Sequence, residues 1–216
     1  MPSVDRSAWL ITTHAPTRIL SGYQNIQGDI IAVDGGLAVA AENSLIPKVL
    51  IGDFDSLDHD LLKKYPDIQI IRHQPQKNET DTELALKWCL DSGCYQNIVI
   101  CNDMQGRVDH SLAIIQNLLE LHRKGVDITI ETERQRIFFI REDTTLKGNK
   151  GDLISLISYS REARFLRSMG LEYPLDRLVI HQHQSRGISN VFVNDCIEIA
   201  LAAGEVLAVY SPKMKL

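Results

Sequence analysis

Apolar and polar positions come in short blocks along the first half of the chain. Apolar runs at 8–11, 29–33, 47–51, 68–71 and 97–101 each end in a polar or glycine-bearing turn. Runs this short and this continuously apolar predict strands of a parallel sheet covered on both faces. Between them lie helical patterns at 37–43 and 58–65, the second stopped by Pro66. A third carries Leu84, Ala85, Trp88, Cys89 and Leu90 at helical spacing, with Trp88, like Trp9, expected in the core. Thr80 followed three residues later by Glu83 forms a capping box, and Gly93 supplies the stop. A last helix is expected over 112–124.

Past Gly125 the period changes. Strand-like runs at 128–130, 136–140, 152–157, 177–181, 196–200 and 206–210 follow one another without helices, punctuated by Gly148, Gly151, Gly170 and Gly187. The charged stretch 131–134 reads as a hairpin turn. Strands in series after βα units predict a second, all-β domain, a small sandwich. The expected fold is therefore α/β: a parallel-sheet α/β domain over 1–143, then a β-sandwich domain over 144–216.

Four polar loops follow predicted strands: Asp34-Gly35-Gly36, Gly52-Asp53-Phe54-Asp55-Ser56, Lys77 to Asp81, and Gly106-Arg107-Val108-Asp109-His110. In open α/β sheets ligands collect beyond the carboxyl ends of the strands, so the four loops are expected around one cleft. In extended geometry Asp53 and Asp55 point to one side and Phe54 to the other. Two carboxylates held that close call for a cation, and Mg²⁺ suits oxygen ligands. With Asp81 they form a metal and phosphate site, while Lys77 and Arg107 offset the remaining charge. Taken singly, the first pair reads equally well as an acidic turn capping a helix, and Arg107 as half of a surface Arg–Asp pair. Neither a GxxxxGK[ST] phosphate loop nor a GxGxxG fingerprint is present.

Composition narrows the partners. With 44% hydrophobic and 24% charged residues the chain is an ordinary globular protein, and its net charge of -5 argues against nonspecific nucleic-acid binding. Phosphate must then be held by local groups. The four cysteines show no CxxC spacing, and Cys89 and Cys101 are expected as buried free thiols. Together with the lack of a signal-peptide pattern or a membrane-length apolar run, this predicts a cytoplasmic protein with no membrane partner. His181-x-His183 in a strand reads as a solvated face rather than a zinc site.

These residues, in this order, resemble the thiamine pyrophosphokinase family. Its pattern of D-G-G, G-D-F-D-S, a T-D pair, G-R-hydrophobic-D-H and G-hydrophobic-S-N is met at Asp34, Gly52, Thr80, Gly106 and Gly187. Residues 169–175 are similar to its G-L-x-[WY]-P-L segment. The resemblance implies transfer of a pyrophosphoryl group from ATP to the hydroxyl of thiamine, giving thiamine diphosphate and AMP. It implies Mg²⁺ on Asp53, Asp55 and Asp81 as the catalytic set, with ATP near Asp34, Gly35, Lys77, Thr80, Arg107, Asp109 and His110. It also implies a homodimer, thiamine lying between the α/β domain of one subunit and the β-domain of the other, lined by Ser189 and Asn190.

Two departures from the family pattern stand out: Asn78 replaces an acidic residue, and Gln105 replaces the first glycine of a G-G-R turn. If that turn needs positive φ at Gln105, the loop must take another shape. Phe192 is the candidate aromatic to stack on thiamine, and either Asp81 or Asp109 the acceptor of the hydroxyl proton. Two other functions fit the same loops: a different Mg²⁺-dependent phosphoryl transferase or hydrolase, and a thiamine- or nucleotide-binding regulator without activity.

Overall fold

The computed structural model describes residues 6–54, 59–74, 76 and 78–213. Asp55, Ser56 and Lys77 lie outside them. Two compact units divide after Glu133.

In the first unit, β1 (Arg6–Ile11), β2 (Asp29–Val33), β3 (Val49–Gly52), β4 (Gln69–Arg72), β5 (Tyr95–Cys101) and β6 (Asp127–Glu131) alternate with α1 (Gly36–Glu42), α2 (His59–Leu62), α3 (Asp81–Ser92) and α4 (Val108–Arg123). The strands lie in the order β6-β5-β1-β2-β3-β4, every pairing parallel. Leu10, Ile11, Ile31, Leu50, Ile51, Ile98 and Ile100 are wholly buried. Each such side chain contributes about 1.5–3 kcal/mol of burial, which explains why the inner strands read as unbroken apolar runs. β4 is the edge strand, and its Ile70 is half exposed. Cys89 and Cys101 are buried free thiols, as expected.

The Thr80 half of the capping box is present, with Glu83 N–H donating to Thr80 Oγ1 at 3.2 Å, and Gly93 closes α3 in the left-handed conformation. Three expectations are corrected. The helix expected from 112 begins at Val108, leaving Val108 and Leu112 on its surface. Trp9 and Trp88 are only half buried; the Trp9 indole N–H reaches the Gln27 carbonyl, which holds one end of the ring near water. Glu131 is no hairpin-tip charge but a buried carboxylate that accepts the Ser21 N–H at 3.2 Å.

In the second unit, β7 (Arg136–Ile140), β8 (Asp143–Lys147), β9 (Leu153–Ser158), β10 (Glu162–Met169), β11 (Val179–His181), β12 (Asn190–Val191), β13 (Cys196–Ala203) and β14 (Val206–Ser211) form a sandwich. One layer runs β12-β9-β14-β7 and the other β11-β10-β13-β8, each antiparallel. Ile140, Ile154, Leu156, Val206 and Ala208 from the first layer share a core with Ala163, Phe165, Ile180, Ile197, Ile199 and Leu201 from the second. The strand 136–140 belongs with this unit because β7 pairs with β14, so the division falls ten or so residues before 143/144. β10 has no counterpart among the expected strands. Register shifts at Arg164/Phe165 and Phe165/Arg167 break its alternation, so its sequence lacks a clean period of two.

Candidate active site

Because the first-unit strands are parallel, their carboxyl ends share one edge. Asp34 leaves β2 with a left-handed backbone (φ 51°), and its carboxylate accepts N–H bonds from Gly35 and Phe54. A Cβ on Gly52 would lie 3.1 Å from both the Cα and Oδ1 of Asp34, so β3 ends in tight approach to that carboxylate. Gly36 is more constrained: a Cβ there would sit 1.8 Å from the Ile11 carbonyl oxygen, where α1 begins against the end of β1. The D-G-G and G-D-F motifs are thus two halves of one packing contact. Phe54 is buried, as its place in the motif predicts, with the Arg72 guanidinium 5.2 Å from its ring centroid. Its backbone is left-handed (φ 65°), so the extended run expected over 53–55 is broken there.

Burial, then the charges of Asp81 and Asp53, hold the Asp34 carboxyl above the ordinary carboxylate range, against the two N–H bonds it accepts. Carboxylates from two other loops therefore act on Asp34, as the strand-end rule predicts. Asp34 and Asp81 line a cavity of about 250 Å³ together with Thr12, Thr13, His14, Thr82, Asn102 and His110. Asp34, Asp81 and His110 were expected here from their motifs. The loop after β1 was not, although Thr12-Thr13-His14 is as polar as the loops that were.

The remaining candidates are less simply arranged. Arg107 makes a bidentate pair with Asp109, Nε to Oδ1 at 3.1 Å and a terminal nitrogen to Oδ2 at 2.5 Å, both side chains well exposed. That hydrogen bond holds the Asp109 carboxyl down to about 2. Thr80 uses its hydroxyl as the helix cap, and Gly35 gives its N–H to Asp34. Positive φ in the following loop falls on Met104 and Gly106, so Gln105 carries no left-handed strain. Asp55 and Lys77, expected as metal ligand and phosphate partner, lie outside the described residues. Among the described residues no group of three His, Cys, Asp or Glu side chains is arranged to hold a metal ion.

In the second unit Ser189 is exposed with a left-handed backbone (φ 59°), its N–H bound to Ser155 Oγ at 3.0 Å. Asn190 is buried. Its Oδ1 accepts the N–H groups of Tyr173 (3.1 Å) and Val191 (2.9 Å), and its Nδ2 donates to the Tyr173 carbonyl at 2.7 Å. The amide clamps the backbone of the 170–175 segment rather than facing solvent. Phe192, considered as the stacking aromatic, is wholly buried against Tyr210 and is corrected to a core residue. The exposed aromatic beside Asn190 is Tyr173, 62% exposed; it occupies the [WY] position of its segment. A larger open cavity of about 850 Å³, lined by Ser160, Arg161, Glu162, His181 and His183, collects none of the candidate residues.

Comparison with known proteins agrees with this arrangement. The family model "Thiamin pyrophosphokinase, catalytic domain" matches residues 24–130, and "Thiamin pyrophosphokinase, vitamin B1 binding domain" matches residues 128–206. Thiamine pyrophosphokinase of Bacillus subtilis is 28% identical over 198 residues, covering 89% of this chain and 91% of that protein. Thiamin pyrophosphokinase 1 of Caenorhabditis elegans is 23% identical over 180 residues, covering 76% and 73%. In fold, the chain is similar to the crystal structure of the Bacillus subtilis protein, with a TM-score of 0.84 at 24% identity, covering 97% of this chain and 100% of that one. It is also similar to thiamin pyrophosphokinase from Candida albicans, with a TM-score of 0.78 at 17% identity, covering 96% and 90%. The two family models together take in most of both units and the strand-end loops from Asp34 to His110, and the chain belongs to the thiamin pyrophosphokinase family.

Proposed function

We propose that this protein transfers the pyrophosphoryl group of ATP to the hydroxyl of thiamine, releasing AMP, and does so as a cytoplasmic homodimer using Mg²⁺. The observation that carries this reading is the charge of Asp53 and Asp81 bearing on Asp34, which lines one cavity with Asp81, in a chain matched by both family models. A set of hard oxygen donors whose charges repel one another fits a divalent cation. Asp53, Asp55 and Asp81 would hold it, and Asp34 would stand beside them, locked by the Gly35 and Phe54 N–H groups. When bound, the ion neutralises the charge on the phosphate oxygens.

The chain's own residues then orient the reactants. Pyrophosphoryl transfer depends on in-line positioning and charge stabilisation more than on covalent chemistry. The hydroxyl proton is assigned to Asp81 on position, since Asp81 lines the cavity whereas the exposed Asp109 carboxylate is taken up by Arg107. The exposed Tyr173 ring offers an apolar, electron-rich face for cationic thiamine, and Ser189 a polar neighbour. Four unpaired cysteines support a reducing compartment, and among the described residues no helix is long and apolar enough to cross a membrane.

The test is AMP release from ATP and Mg²⁺, with and without thiamine. Thiamine-dependent AMP supports the reading. Hydrolysis that ignores thiamine indicates another phosphoryl transferase or hydrolase, and silence in both indicates a regulator.

A further inference from the structure

The strands of the first unit progress outward from β1 through β2 and β3 to β4, then the chain returns to the other side of β1 with β5 and β6. The order reverses between β1 and β5. At such a reversal the connections leave in opposite directions and open a crevice beyond the strand ends. The residues at this crevice are those of the loop after β1, 12–14, and of the loop after β5, from Asn102.

That crevice is built. Thr12 Oγ1 donates to the Cys101 carbonyl at 2.8 Å, and Asn102 Nδ2 donates to Thr12 Oγ1 at 3.0 Å, both side chains buried. Asn102 Oδ1 accepts the Met104 N–H at 2.8 Å, and the Asp103 N–H donates to the His14 carbonyl at 2.8 Å. The backbone on either side of His14 is thus pinned, while its side chain is exposed. The ring lines the cavity shared with Asp34 and Asp81, and Gly106 passes it closely: a Cβ there would lie 3.4 Å from His14 Cε1. No lysine or arginine lines this cavity among the described residues, and Arg107 is paired with Asp109. The rings of His14 and His110 are therefore the nitrogen-bearing side chains, apart from Asn102, that line this cavity among the described residues.

We infer that His14 is a nucleotide-binding residue, its imidazole donating a hydrogen bond to a phosphate oxygen of the AMP portion, the part of the nucleotide that is not transferred. This rests on the proposed reaction for the name of the nucleotide, and on the cavity alone for the contact. Asp34 and Asp53 follow β2 and β3 and mark where a metal-bound polyphosphate would sit, whereas His14 follows β1, further along the sheet edge toward the β1–β5 crevice left for the rest of the nucleotide.

The experiment pairs calorimetric titration of AMP into the metal-free protein with steady-state kinetics, on wild type, His14→Ala and His14→Gln. Loss of one hydrogen bond to a charged oxygen predicts about tenfold weaker AMP binding and about tenfold higher KM for ATP in His14→Ala. The KM for thiamine stays within about twofold, and the melting temperature is unchanged because the ring is exposed. His14→Gln, which keeps an N–H donor, recovers most of the AMP affinity. Unchanged AMP affinity and ATP KM in His14→Ala overturn the inference. So does a loss that extends equally to thiamine, or one that follows a drop in melting temperature. If wild type releases no AMP with thiamine yet His14→Ala still weakens AMP binding, the proposed reaction fails and the nucleotide contact stands.

Discussion

Replacing Asn190 with alanine separates two roles that the residue's motif leaves merged. A direct thiamine ligand would have a polar group facing the substrate. The observed amide instead makes three hydrogen bonds to backbone groups, two of them to Tyr173, while buried to 5% exposure. At a net value near 1 kcal/mol per bond, with Tyr173 N–H and C=O left without this partner, the loss is about 2–3 kcal/mol. Neighbouring bonds limit the damage: Glu172 N–H to the Val191 carbonyl and Val193 N–H to the Gly170 carbonyl, both 2.9 Å, keep the segment attached. For a chain of 216 residues this corresponds to a fall in melting temperature of roughly 5–10 °C. The assay is a thermal melt of Asn190→Ala beside its KM for thiamine and beside Tyr173→Ala. The expected pattern is a lower melting temperature with a raised thiamine KM for Asn190→Ala, and a raised KM at unchanged melting temperature for Tyr173→Ala. An Asn190→Ala protein that melts like wild type and yet loses thiamine binding would refute the clamp and make the amide a ligand.

Three further outcomes are expected. Asp34→Asn keeps a residue that tolerates the left-handed backbone and removes one of three repelling charges. Since the folded carboxyl is held above its unfolded value, its ionisation costs stability as pH rises through that range; the variant should melt no lower than wild type at neutral pH without metal, while AMP formation falls by about 10–100-fold. Asp152→Asn tests a buried carboxylate that accepts Tyr210 Oη at 2.5 Å, Asn149 N at 2.6 Å and Lys213 N at 2.8 Å. Burial works to raise this group, but these bonds bring it below the ordinary range. Its stabilisation is therefore full above the unfolded carboxylate range and lost as pH falls through the folded value. Urea midpoints should show a wild-type advantage of about 2–4 kcal/mol at neutral pH that shrinks on acidification. Gly36→Ala drives a methyl into the Ile11 carbonyl oxygen at 1.8 Å, and should cost more than about 3 kcal/mol or prevent folding, read as loss of the cooperative melt.

What the sequence determined by itself was whatever near neighbours decide. Apolar runs became strands, Thr80 and Glu83 began α3 and Gly93 ended it, because capping and periodicity act within a few residues. The acidic loops were legible for the same reason: each follows a strand, and parallel strands share one carboxyl edge. Tertiary structure decided the rest. The loop after β1 borders the cavity only because β5 returns beside β1, a pairing of residues about ninety positions apart. β10 lost its alternation to register shifts set by β13. Asn190 and Phe192 stand in one motif neighbourhood with Ser189, yet two face inward and one outward, because the sandwich core takes up the aromatic and the 170–175 segment takes up the amide. Local chemistry can say that a side chain is polar or aromatic; which partner it meets is set by chain returning from far along the sequence, and burial energy and hydrogen bonding are settled only when that return is made.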